Sequence, residues 1–89
     1  MNTLQATRKA KETVVEITGK DAESVSRCER DDKVWTIVLD IIESKARIAD
    51  NDVIASYELI LDLAGDLQRY MRLRRYRRAD ARNETESRG

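Results

Sequence analysis

Six arginines crowd the ten residues from Arg69 to Arg78, at positions 69, 72, 74, 75, 77 and 78, with Tyr70, Met71, Leu73 and Tyr76 between them. A guanidinium is a planar, permanently charged fork of donors that grips a carboxylate or a phosphate at two points. Such a row suits a carboxylate-rich protein surface or a phosphate backbone, and Arg69, Arg72, Arg74, Arg75, Tyr76, Arg77 and Arg78 are the expected partner-binding residues. The plainer reading is a solvated basic strand whose arginines pair with the chain's own acids, Glu43, Glu58 and Asp62 being the cross-strand candidates. Nucleic acid is the rival partner, and the distribution of charge argues against it. The chain is neutral overall, but residues 1–66 carry nine basic against fourteen acidic side chains and residues 67–89 carry eight against three. A polyanion would be repelled from most directions of approach.

The remaining groups offer little chemistry. There is no histidine, so histidine-based acid–base catalysis and histidine metal ligation are excluded. The lone Cys28 has no histidine to activate it and reads as a small, partly buried strand residue; it also excludes an internal disulfide. Asp50, Asn51 and Asp52 look like part of a calcium loop, but the turn glycine and the distal bidentate glutamate are missing, so they read as turn caps. No catalytic residue, metal or cofactor is expected, and 89 residues enclose too small a core for a deep substrate cavity. The expectation is a binding or assembly protein, not an enzyme. MNTLQATRKAKE at the start has no apolar signal core, and no apolar run approaches about 18 residues, which reads as a soluble cytoplasmic protein.

The arginines need a strand to space them. Val53 to Arg78 reads as a hairpin: Val53, Ala55, Tyr57, Leu59 and Leu61 alternate with Ser56, Glu58 and Asp62, and the Asp62–Asp66 break, with Gly65, turns the chain. Leu4 to Thr18 reads as a helix with Ala6, Ala10, Val14 and Ile17 as its apolar stripe, Val15 at its edge, and Gly19 as its stop. Ser24 to Arg30 reads as a charged edge strand. Val34 to Ser44 is the strongest strand signal and the expected central strand, with Trp35, Ile37, Leu39 and Ile41 on one face. Trp35 and Tyr57 are expected in the core. Asp31 and Asp32 form a hairpin tip, and Lys45 to Asp52 is a polar connection. The expected fold is α+β: one N-terminal helix on a four-stranded antiparallel meander, a single domain over residues 4–78, with a disordered tail over 79–89. One helix covers one side of a sheet. Val34, Val38, Ile42, Ile54 and Ile60 are therefore expected to form an apolar second face that a second copy or a partner covers.

The chain resembles the gas vesicle protein O family of accessory proteins. The resemblance lies in Trp35, IIESKARI (41–48), DVIASYELIL (52–61), DLAGDL (62–67) and above all YMRLRRYRR (70–78), and it spans about residues 13–78 in order and spacing. The chain departs from that pattern at Ala49, where a proline usually follows the Arg-Ile pair, and at Val34, where a glycine usually precedes the tryptophan. What the resemblance implies is a non-enzymatic protein needed for gas vesicle formation. Its implied partners are other vesicle proteins: the shell protein, further accessory proteins and an ATPase of the AAA type.

Overall fold

A computed structural model describes residues 1–80. Helix α1 (Thr3–Thr18) begins where Asn2 and Gln5 cap each other: the Asn2 side chain accepts from the Gln5 amide at 2.8 Å, and the Gln5 side chain accepts from the Asn2 amide at 2.9 Å. This reciprocal box satisfies two donors that a helix start leaves open. The helix ends at Gly19, whose φ of 73° is left-handed and whose amide donates to the Val15 carbonyl. Ala6, Ala10 and Val14 are fully buried, so the helix lies close on the sheet along a face of mostly small side chains. Leu4 and Val15, off that stripe, are exposed.

The sheet is a plain meander, β1 (Ala22–Arg30), β2 (Val34–Ser44), β3 (Val53–Asp62) and β4 (Leu67–Arg77), all neighbours antiparallel. The expected α+β fold is the observed one. β1 starts two residues earlier than its sequence pattern suggests, because Ala22 pairs with Ile41 and extends the open end of the first hairpin. The 45–52 connection contains one short 3-10 turn, Ala49–Asn51. The expected disorder of the tail falls, from residue 81 onward, outside the described residues; Arg78, Ala79 and Asp80 form a helical turn.

The core lies between α1 and one face of the sheet. Trp35, Ile37, Leu39 and Ile41 of β2 stand opposite Leu61, Leu59, Tyr57 and Ala55 of β3, and all but half-buried Tyr57 are buried. Among the described residues the indole Nε1 of Trp35 has no hydrogen-bond partner, while Arg30 lies 6.0 Å from its ring centre. The opposite face differs from expectation. Val38, Ile54 and Ile60 are buried within the single chain, and Val34 and Ile42 are half-buried, so the apolar patch is not open. The reason lies in the rows across that face. Long or polar side chains flank Val38 and Ile60: Arg27, Val38, Glu58 and Met71 stand side by side, as do Thr36, Ile60 and Arg69, while Ile42 and Ile54 stand opposite each other with Tyr76 beside Ile54. Long stems can cover apolar surface while their heads stay wet. Asp40, central on this face, accepts hydrogen bonds from the hydroxyls of Ser24 and Ser56.

The β1–β2 hairpin tip is closed by Asp31, whose carboxylate accepts from the amides of Lys33 at 2.7 Å and Val34 at 2.9 Å. Those bonds hold its pKa below the ordinary carboxylate value. A carboxyl that is more acidic in the folded chain than in the unfolded one adds stability above the unfolded pKa, and that stability disappears as the pH falls through the folded value. Asp31→Ala is therefore expected to lower the melting temperature at neutral pH. The gap to wild type should narrow as the pH drops below the carboxylate range, which a series of thermal melts from pH 7 down to pH ~2 measures.

Candidate functional site

Strand β4 is launched by a turn that Asp62 organises. Its carboxylate accepts from the amides of Ala64 and Asp66 at 2.9 and 3.0 Å and from the Gln68 side chain at 3.2 Å, while its own amide donates to the Asp66 carbonyl at 2.8 Å. Gly65 supplies the left-handed backbone, φ 97°, that this turn requires. From there the strand runs as an edge, exposed along its length except at half-buried Tyr76.

Pairing with β3 divides the arginines between two faces. Arg72 stands opposite Tyr57 and Arg75 opposite Ala55, on the helix side; Arg69 stands opposite Ile60 and Arg74 opposite Ser56, on the open side with Met71 and Tyr76. The division follows from a register shift between Ser56 and Tyr57, which leaves Leu73 as an extra residue. Without that irregularity Arg72 and Arg74 would share a face. The arginine row is therefore two half-rows.

Each half-row has its own electrostatics. On the helix side Glu43 of β2 meets Arg75 at 2.6 Å and Arg72 at 3.5 Å across β3, where Arg75 stands opposite small and fully buried Ala55. Of the three expected acidic partners only Glu43 takes an arginine of this strand: Asp62 is spent on its turn and Glu58 stands opposite Met71. Arg77 pairs with Asp80 at 3.3 Å. On the open side Arg74 stacks on the Tyr76 ring, 4.5 Å from its centre, and among the described residues neither Arg69 nor Arg74 has a carboxylate within bridging distance.

Arg78 stands apart. Its guanidinium meets Glu23 at 2.6 Å, Asp52 at 3.3 Å and the Ala49 carbonyl at 3.2 Å, and its amide donates to the Asp52 carbonyl at 3.0 Å. Its pKa is raised, chiefly by the hydrogen bond to Glu23. Asp52, almost fully buried, also accepts from the Ala46 amide at 2.8 Å. Arg78 thus clasps the start of β1, the 45–52 connection and the end of β4. Sequence reasoning singled out neither Glu23 nor Asn2. The Asn-x-x-Gln spacing of a capping box was a legible signal for Asn2, whereas nothing local marks Glu23 as a partner of a residue far along the chain.

A shallow cavity of about 290 Å³ opens beside Arg69, lined by Glu58, Ile60, Arg69, Tyr70 and Met71. Cys28 is half-buried and accepts a long hydrogen bond from the Thr7 hydroxyl at 3.7 Å. No helix among the described residues is long and apolar enough to cross a membrane. The chemistry this arrangement supports is recognition of carboxylates by Arg69 and Arg74, which flank Met71 and have no carboxylate partner among the described residues.

The sequence matches the family model described as gas vesicle synthesis protein GvpO over residues 1–82. It is 46% identical over 66 residues to gas vesicle protein O of a Streptomyces species (strain CB03234), covering 73% of this chain and 51% of that protein. It is 33% identical over 79 residues to gas vesicle protein O1 of Halobacterium salinarum, covering 89% of this chain and 66% of the relative. With gas vesicle protein O of Haloferax mediterranei it shares 38% identity over 50 residues, 56% of this chain and 36% of that one. The chain thus spans between roughly a third and two thirds of the length of these curated relatives. No solved structure matches it.

Proposed function

This chain belongs to the gas vesicle synthesis protein GvpO family, and from that premise we propose that it serves gas vesicle formation as a non-enzymatic accessory protein, through protein–protein contacts made by β4. The proposed partners are other vesicle proteins, namely the shell protein, further accessory proteins and an AAA-type ATPase. Arg69, Arg72, Arg74, Arg75, Tyr76 and Arg77 are the proposed contact residues, with Arg78 holding the end of their strand. The observation that carries the reading is the pair Arg69 and Arg74, exposed and without a carboxylate partner among the described residues. A side chain with low intrinsic need for its charge in folding is free to spend it on a partner.

Arg69 and Arg74 are exposed and make no ion pair among the described residues, and the stack of Arg74 on Tyr76 is worth about 0.5–1 kcal/mol at an exposed site, so the Arg69→Glu/Arg74→Glu variant should melt close to wild type. Co-purification with vesicle proteins from vesicle-forming cells, and vesicle formation itself, should be lost. Retention of every partner by the folded variant would move the contact surface elsewhere. The nucleic-acid alternative fares worse, because Glu43, Asp80, Glu23 and Asp52 already neutralise four of the six arginines. With two free guanidiniums, any oligonucleotide binding should show a salt slope no steeper than about −2 in log–log form. A titration giving a slope several times steeper would revive that reading.

A further inference from the structure

We infer that the outer edge of β4 accepts an extended acidic segment of a protein partner as a fifth strand of the sheet. The inference deepens the proposal that β4 is the contact surface and rests on it. β4 is 11 residues long, and among the described residues its only strand neighbour is β3. The outward amides and carbonyls of such an edge are a template for another strand, which native proteins usually obstruct. Charge is the obstruction here, and it is selective. A second β4 pairing along the same edge would set arginine against arginine, which repels. The β1 edge of a second copy offers Glu23 and Glu29 but also Arg27 and Arg30, so it brings no net negative charge. An acidic strand meets no such barrier.

The side chains beside the edge define what that strand must carry. On the open face Arg69, Met71 and Arg74 follow one another, so successive same-face positions of an added strand would read carboxylate, aliphatic, carboxylate. The aliphatic position adjoins the cavity between Ile60, Tyr70 and Met71. Main-chain hydrogen bonds supply the affinity in this mode of recognition, and such side-chain positions supply the choice of partner.

The test uses the full chain and an 11-residue synthetic peptide, the length of β4, in which glutamate, isoleucine and glutamate occupy successive alternate positions, so that all three share one face of the extended strand, with threonine at the positions between. A second peptide has the same sequence with every other amide N-methylated, which removes the donors on one edge and keeps the charge. A single-stranded oligonucleotide of equal charge is the third probe. Fluorescence anisotropy should show the unmodified peptide binding, with at least about tenfold loss on N-methylation and at least about tenfold loss for Arg69→Glu/Arg74→Glu. Amide exchange in β4 should slow on binding. Equal binding of the two peptides would overturn strand addition while leaving the arginine surface intact. No binding of either peptide would also overturn it, and the co-purification experiment would then decide the arginine surface separately. Tighter binding of the oligonucleotide would overturn both. Concentration-dependent dimerisation by light scattering, abolished by the same double reversal, would name a second copy as the occupant and overturn the acidic partner.

Discussion

Replacing Ile37 by alanine is expected to lower the unfolding free energy by about 2–5 kcal/mol, the range for deleting most of a buried aliphatic side chain. Ile37 is fully buried in the second strand of the sheet, paired with Cys28 on one side and Leu59 on the other. The helix face above the sheet is built from Ala6, Ala10 and Val14, whose short side chains cannot swing into the vacated space, so the cavity should persist. A chain of 89 residues has roughly 4–13 kcal/mol of stability in total, and this one change removes a large part of it. Urea titration should show a lower midpoint with an unchanged slope. A loss under about 1 kcal/mol would mean that the helix is not seated on this strand. The contrast with β4 is the useful part: arginine reversals should spare folding and abolish contact, whereas Ile37→Ala should do the reverse at temperatures where it remains folded.

The helix stripe, the Gly19 stop, the central strand and the final hairpin were all legible because each is a local pattern: a 3.6-residue or two-residue period bounded by a turn former. The meander order followed from the short connections between them. What the sequence hid was long-range or depended on register. The extra residue at Leu73 changes which arginines share a face, and no feature of YMRLRRYRR marks it, since alternation reads equally well with or without a bulge. The second face looked apolar from Val34, Val38, Ile42, Ile54 and Ile60, but burial there depends on how the stems of neighbouring strands lie across it, which only the pairing reveals. Glu43 was legible as an acid near the arginines, yet which of them it meets, Arg72 and Arg75 and not Arg74, depends on the register of β4 on β3. Asp52 read as a turn cap, which its bond to the Ala46 amide bears out, but its burial beneath Arg78 involves residues 26 positions apart.

That buried carboxylate sets the second large effect. Arg78→Ala should cost about 1–3 kcal/mol, because it leaves one oxygen of Asp52 buried without its partner. The value stays below the several kcal/mol of a fully buried broken pair, since the Arg78 side chain is itself 34% exposed. The loss should be local as well as global. Arg78 is the last link holding the end of β4 to the 45–52 connection and to Glu23. Amide exchange should therefore rise around the Val53–Arg77 and Ile54–Tyr76 pairs and stay slow near Trp35 and Leu61. Asp52→Asn supplies the control. An asparagine keeps an acceptor for the Ala46 amide and carries no charge to strand, so Arg78→Ala should cost measurably less in an Asp52→Asn background than in wild type. Equal costs in the two backgrounds would mean that the buried charge is not what Arg78 answers, and that its contacts with Glu23 and the Ala49 carbonyl carry the clasp.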